Sequence, residues 1–70
     1  MKLTEKEFEE LKKTSRKNGW SLSTDDLGEG NITYNFSKTH GIFTSILFAT
    51  KTGTEKHYEI FDEYYNEITN

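Results

Sequence analysis

Seventy residues with no cysteine and a net charge of −3 leave few ways to staple a small domain. Disulfides and cysteine-based zinc sites are excluded. The acidic balance argues against nucleic acid as the main ligand, because phosphate neutralisation dominates that affinity.

The chain reads as one domain over residues 1–70, small enough that self-association or a partner is the expected support. No segment approaches the roughly 20 apolar residues of a membrane span. The start, MKLTEKEFEE, turns acidic where a signal peptide would carry its apolar core. A cytoplasmic protein without membrane contact is expected. Charge is segregated along it: residues 1–19 carry a net +2 and residues 54–70 a net −4.

A helix is predicted over Glu5–Asn18. Thr4 and Glu7 have capping-box spacing, and Leu3 and Phe8 stand where a hydrophobic staple belongs. Acids crowd the first turns and bases the last, as the helix dipole favours. Gly19 suits a left-handed C′ residue, with Trp20 as the apolar C″ contact. The apolar stripe is thin: Phe8, Leu11 and Ser15.

Three strands follow. Trp20–Thr24 alternates apolar and polar, Asp25–Asn31 reads as a loop, and Ile32–Ser37 alternates cleanly. Lys38-Thr39-His40-Gly41 turns the chain into Ile42–Thr50, which is apolar on both faces of an extended chain. The predicted hairpin register sets Ser37 opposite Ile42 and Phe36 opposite Phe43. Ile32, Tyr34, Phe36, Phe43 and Leu47 then share the helix-covered face, and Ile42, Ile46 and Phe48 lie on the open one. A one-residue slip would exchange the faces of the third strand.

A second helix is predicted after Gly53, capped by Thr54 or by a Thr52/Glu55 box. His57, Tyr58, Phe61, Tyr64, Tyr65 and Ile68 recur at helical spacing. The fold class is therefore α+β, in the order α-β-β-β-α: a three-stranded antiparallel meander with N- and C-terminal helices packed on one face. Its expected core is Phe8, Leu11, Tyr34, Phe36, Phe61, Tyr65 and Ile68.

Two features point to binding. Ile42, Ile46 and Phe48 make an apolar patch on the open face, of the kind that marks interaction sites, unless loops or Trp20 fold over it. Glu55, Glu59, Asp62, Glu63 and Glu67 form an acidic stripe on the last helix, which either steers a basic partner or is solvated surface. Asp25, Asp26, Glu29 and Asn31 gather oxygens in one loop, but without calcium-loop spacing. His57 has no nucleophile or second titrating group named beside it. No catalytic residue, metal site or cofactor is assigned.

The element order and length resemble the double-stranded-RNA-binding domain, over the whole chain but in topology alone. That resemblance implies RNA binding by lysines at the start of the last helix. Thr54-Glu55-Lys56-His57-Tyr58-Glu59 offers one lysine between acids, and Leu27-Gly28-Glu29-Gly30 lacks the family's proline-and-histidine loop.

The leading expectation is a non-enzymatic protein-binding module, such as a small phage or mobile-element inhibitor of a host nucleic-acid enzyme. It would use Ile42, Ile46 and Phe48, or Glu59, Asp62, Glu63 and Glu67, against another protein, for instance a basic nucleic-acid-binding one. The alternative is a homodimeric structural or regulatory domain. Direct nucleic-acid binding ranks third.

Overall fold

Five antiparallel strands and two helices build the α+β fold, described for Met1–Asn70 by a computed structural model. In chain order they are β1 (Lys2–Leu3), α1 (Glu5–Lys17), β2 (Ser21–Gly28), β3 (Asn31–His40), β4 (Phe43–Lys51), β5 (Tyr58–Ile60) and α2 (Asp62–Thr69). The sheet order is β1-β5-β4-β3-β2. The class is the expected one; the sheet has two strands beyond the expected three. Those two also remove the element-order likeness to the RNA-binding domain, since β5 stands between the meander and the last helix.

Helix α1 forms as its end signals require. The Glu7 amide donates to Thr4 Oγ1 at 3.1 Å, and the Thr4 amide donates to Glu7 Oε1 at 2.8 Å. At the other end Gly19 takes φ +90°, its amide donates to Arg16 O, and the Trp20 amide donates to Ser15 O. These are the two bonds of a Schellman motif. Leu3 and Phe8 are both buried, as are Leu11 and Ser15. The Ser15 hydroxyl donates to Lys12 O, so its burial leaves no orphan group.

The meander differs from expectation in its turns. Strand β2 runs on through Asp25 and Asp26 with a bulge at Leu27, so the predicted loop shrinks to Glu29-Gly30. Both turn residues have positive φ (+57° and +78°), which a two-residue hairpin turn demands. The carboxylates join the hairpin: Asp26 Oδ1 accepts from the Gly28 amide and Asp25 Oδ2 from Asn35 Nδ2.

Strand β3 extends to His40, and the second hairpin turns at Gly41-Ile42. Its register sets Ser37 opposite Ile46 and Phe36 opposite Leu47, four residues from the predicted pairing. An even shift preserves faces, so Tyr34, Phe36 and Leu47 still lie under the helices. Phe43 keeps that face but lies beyond the helices, 72% exposed.

The largest correction concerns residues 54–61. Thr52–Glu55 is a turn closed by the Glu55 amide on Thr52 O, not a helix cap. Tyr58 and Ile60 both enter the core at strand period two, and α2 starts only at Asp62, after Phe61 as an extended N-cap. Glu55 and Glu59 therefore stand outside the helix. Asp62 and Glu63 occupy its first turn, where they suit the dipole.

The core holds Leu3, Phe8, Leu11, Trp20, Phe36, Leu47, Ala49, Tyr58, Ile60 and Ile68. Of the expected members, Tyr34 and Tyr65 are half-buried at its margin, and Phe61 lies outside it. Helix α2 packs beside α1 through Ile68, whose carbonyl accepts from Asn18 Nδ2.

Gly53 seats its turn directly on the Glu29-Gly30 turn, donating its amide to Asn31 Oδ1. A Cβ there would lie 2.0 Å from Glu29 O, a contact only backbone movement relieves. Gly53→Ala is expected to destabilise by about 1–3 kcal/mol, and Gly19→Val by a similar amount through left-handed strain. Unchanged denaturant midpoints would show that these backbone positions are not constrained.

Phe8 stacks on Tyr58 at 4.0 Å, with Tyr34 edge-on to both. Burial, followed by the neighbouring Tyr34, raises the Tyr58 phenol from 10.0 to about 12. The folded chain thus keeps a proton that the unfolded chain releases near pH 10. This stabilisation is complete below pH 10 and is lost as pH rises through 12, by about 2–3 kcal/mol. Tyr58→Phe keeps the stack, so its stability should fall less steeply than the parent's between pH 10 and 12. Equal slopes in alkaline denaturation would contradict this assignment.

Candidate partner-binding surface

The open face gains its main feature from strand β5. Ala49 pairs with Ile60 and Thr50 with Glu59, and continuing that register sets Phe61 against Phe48. The two rings meet edge-on at 5.9 Å. Tyr64, in the first turns of α2, reaches both, at 5.5 Å from Phe48 and 5.2 Å from Phe61. Ile46 lies two residues along the same face of β4.

This cluster is only partly covered: Phe61 is 60% exposed, Phe48 38% and the neighbouring Ile46 63%, while Tyr64 is half-buried against the core. A cleft of about 430 Å³ opens beside it, with Met1, Lys2, Thr50 and Glu59 among its walls. The Met1 ammonium donates to Ile60 O at 2.6 Å and lies 3.3 Å from Asp62 Oδ1, which pins the chain start to this edge.

The sequence-derived site residues divide accordingly. Ile46 and Phe48 belong to the patch. Glu59, on β5, shares the open face, with its carboxylate 3.5 Å from His57 Nε2. Asp62 and Glu63 flank Phe61 and Tyr64 at the start of α2. Glu67 lies one turn beyond Glu63, and neither pairs with a cation. Ile42 is not part of the patch. It forms the hairpin tip, 93% exposed and six residues, or about 20 Å of extended chain, from Phe48.

Sequence reasoning missed Phe61 and Tyr64 as surface groups. The signal was available at Ile60, which belongs to neither face of a helix over residues 54–68. Placing Tyr58 and Ile60 inward at period two turns Phe61 outward.

His57 is half-buried between the Glu55 and Glu59 carboxylates, 3.5 Å from each. No three His, Cys, Asp or Glu side chains are gathered as metal ligands would be, and no helix is long and apolar enough to cross a membrane. No family model, curated protein or solved structure matches the chain.

Exposure sets what the patch contributes to folding. Phe61→Ser should shift stability by less than about 1 kcal/mol, whereas Phe36→Ala, fully buried, should cost about 3–5 kcal/mol. Comparable losses in urea denaturation would place Phe61 in the core.

Proposed function

We propose that the chain is a non-enzymatic protein-binding module whose docking surface is the Phe48–Phe61–Tyr64 trio, with Ile46 beside it. The exposure of two mutually packed aromatic rings, Phe48 and Phe61, braced by the half-buried Tyr64, carries this reading. Clustered aromatic side chains bury large area at low entropic cost and dominate binding energy at protein interfaces. A contiguous apolar patch of this kind is unusual on a free surface.

Charge narrows the partner. Glu59, Asp62 and Glu63 border the rings, and Glu67 extends the negative field along α2. Such a border favours a partner with lysine and arginine around an apolar contact, and speeds its encounter. Nucleic-acid-binding proteins present that chemistry, and covering such a basic surface would exclude nucleic acid from it. This supports the inhibitor role.

Affinity capture tests the reading. Immobilised parent protein should retain basic proteins, and Phe48→Ser combined with Phe61→Ser should lose them. For a captured partner, Glu63→Lys with Glu67→Lys should slow association and flatten its salt dependence, whereas Phe61→Ser should raise the dissociation constant about tenfold or more. Identical retention by the parent and the Phe48/Phe61 variant would sink this reading.

A further inference from the structure

Ile42 is left out of the open-face patch and sits instead at an extremity of the molecule. The ten residues of β3 span about 30 Å, a length that fits only along the 39 Å axis of a domain 22 and 18 Å across. The β3–β4 turn at Gly41-Ile42 therefore lies at one end of that axis, and the turns at Glu29-Gly30 and Gly53 lie at the other. At the first end Ile42 is 93% exposed and Phe43 72%, and every residue from Thr39 to Thr44 is exposed.

Charge separates along the same axis. No Asp or Glu occurs between Asn31 and Thr54. Lys38 and His40 lie on the face of β3 that carries Phe36, and Phe43 pairs with His40 on that face. The end of α1 adds Arg16 and Lys17 there: a Cβ on Gly19 would lie 3.6 Å from Lys38 Cε, so the α1 stop meets β3 at Lys38. Arg16, Lys17 and Lys38 pair with no carboxylate. Glu67, next to Ile68 on α2, offsets them in part. Asp25, Asp26, Glu29 and Glu55 gather at the opposite end, around the Glu29-Gly30 turn.

We propose that this end rests on an anionic lipid surface, with Ile42 and Phe43 inserted among the headgroups and Lys38, Arg16 and Lys17 against the phosphates behind them. Lys38 stands about 10 Å of strand behind the turn. Interfacial contact uses that spacing: apolar side chains buried about 5–10 Å deep, with bases held by anionic lipid. An end 22 by 18 Å across is small beside the roughly 800 Å² that each side of a stable protein interface contributes. Duplex nucleic acid is held by many phosphate contacts at once, and three free cations on a chain of net charge −3 supply few. The expectation of no membrane contact rested on the lack of a spanning segment, which contact of this kind does not need. The inference stands apart from the partner reading: Ile46, Phe48 and Phe61 lie on the other face of the sheet, so both surfaces can be occupied together.

Co-sedimentation of the purified chain with vesicles tests this. Vesicles of phosphatidylcholine with about one third phosphatidylserine should bind the parent about tenfold better than phosphatidylcholine alone, and added salt should weaken that binding. Ile42→Ser with Phe43→Ser should lower binding about tenfold or more. Arg16→Glu with Lys17→Glu should remove the preference for phosphatidylserine. Phe48→Ser with Phe61→Ser should bind vesicles as the parent does, which separates this contact from the partner surface. The four positions changed at this end are exposed, and circular dichroism checks that the fold is kept. A parent that stays in the supernatant, a tip variant that binds like the parent, or tip-dependent binding of duplex DNA in place of vesicles would overturn the proposal.

Discussion

Phe8 lies flat on Tyr58, with the ring planes 4° apart, and this stack decides where the last third of the chain goes. Burying such rings contributes about 1.5–3 kcal/mol each, before the edge-on contacts of Tyr34 are added. The stack draws Tyr58 beneath α1, and residues 58–60 must then be extended for Ile60 to reach the same core. Extended backbone at that place offers hydrogen bonds to β4 on one side and to Lys2-Leu3 on the other. The sheet thereby gains two strands, and the chain start is fastened next to its final helix.

The open-face site follows from the same constraint. Once Tyr58 and Ile60 point inward, Glu59 and Phe61 point outward, and the β4–β5 register delivers Phe61 to Phe48. Helix α2 must begin immediately afterwards to bring Ile68 into the core beside α1. That start holds Tyr64 against the two rings and Asp62 and Glu63 at their border. A surface of apolar anchors and carboxylates is thus a by-product of how the core is closed.

The chain closes that core without a disulfide. It relies on tight backbone approaches, such as Gly53 on the Glu29-Gly30 turn, and on joining its two ends through β1 and β5. Short strands limit the cover available, and β4 is left with apolar side chains on both faces and, on the side away from β3, no strand neighbour along half its length. The surface proposed to bind a protein partner, Phe48 and Ile46 with Phe61 and Tyr64 packed beside them, is built on this same under-covered strand.

Sequence alone determined what depends on neighbours a few residues apart. The capping box at Thr4 and Glu7, the left-handed stop at Gly19, and the alternation that puts Tyr34 and Phe36 on one face are local chemistry and were legible. So was the surplus of apolar residues in β4, because no single covered face could use them. Tertiary structure decided the rest. Tyr58, Phe61, Tyr64, Tyr65 and Ile68 fit a helical repeat, yet the first of them joins a strand, because β1, 55 residues away, supplies hydrogen bonds that local pattern cannot reveal. The β3–β4 register also moved by four residues, since the turn at Gly41-Ile42 and the pairing of Phe36 with Leu47 are chosen by the whole core. Whether Phe61 lay inside or outside was settled by that long-range pairing, and the candidate site with it.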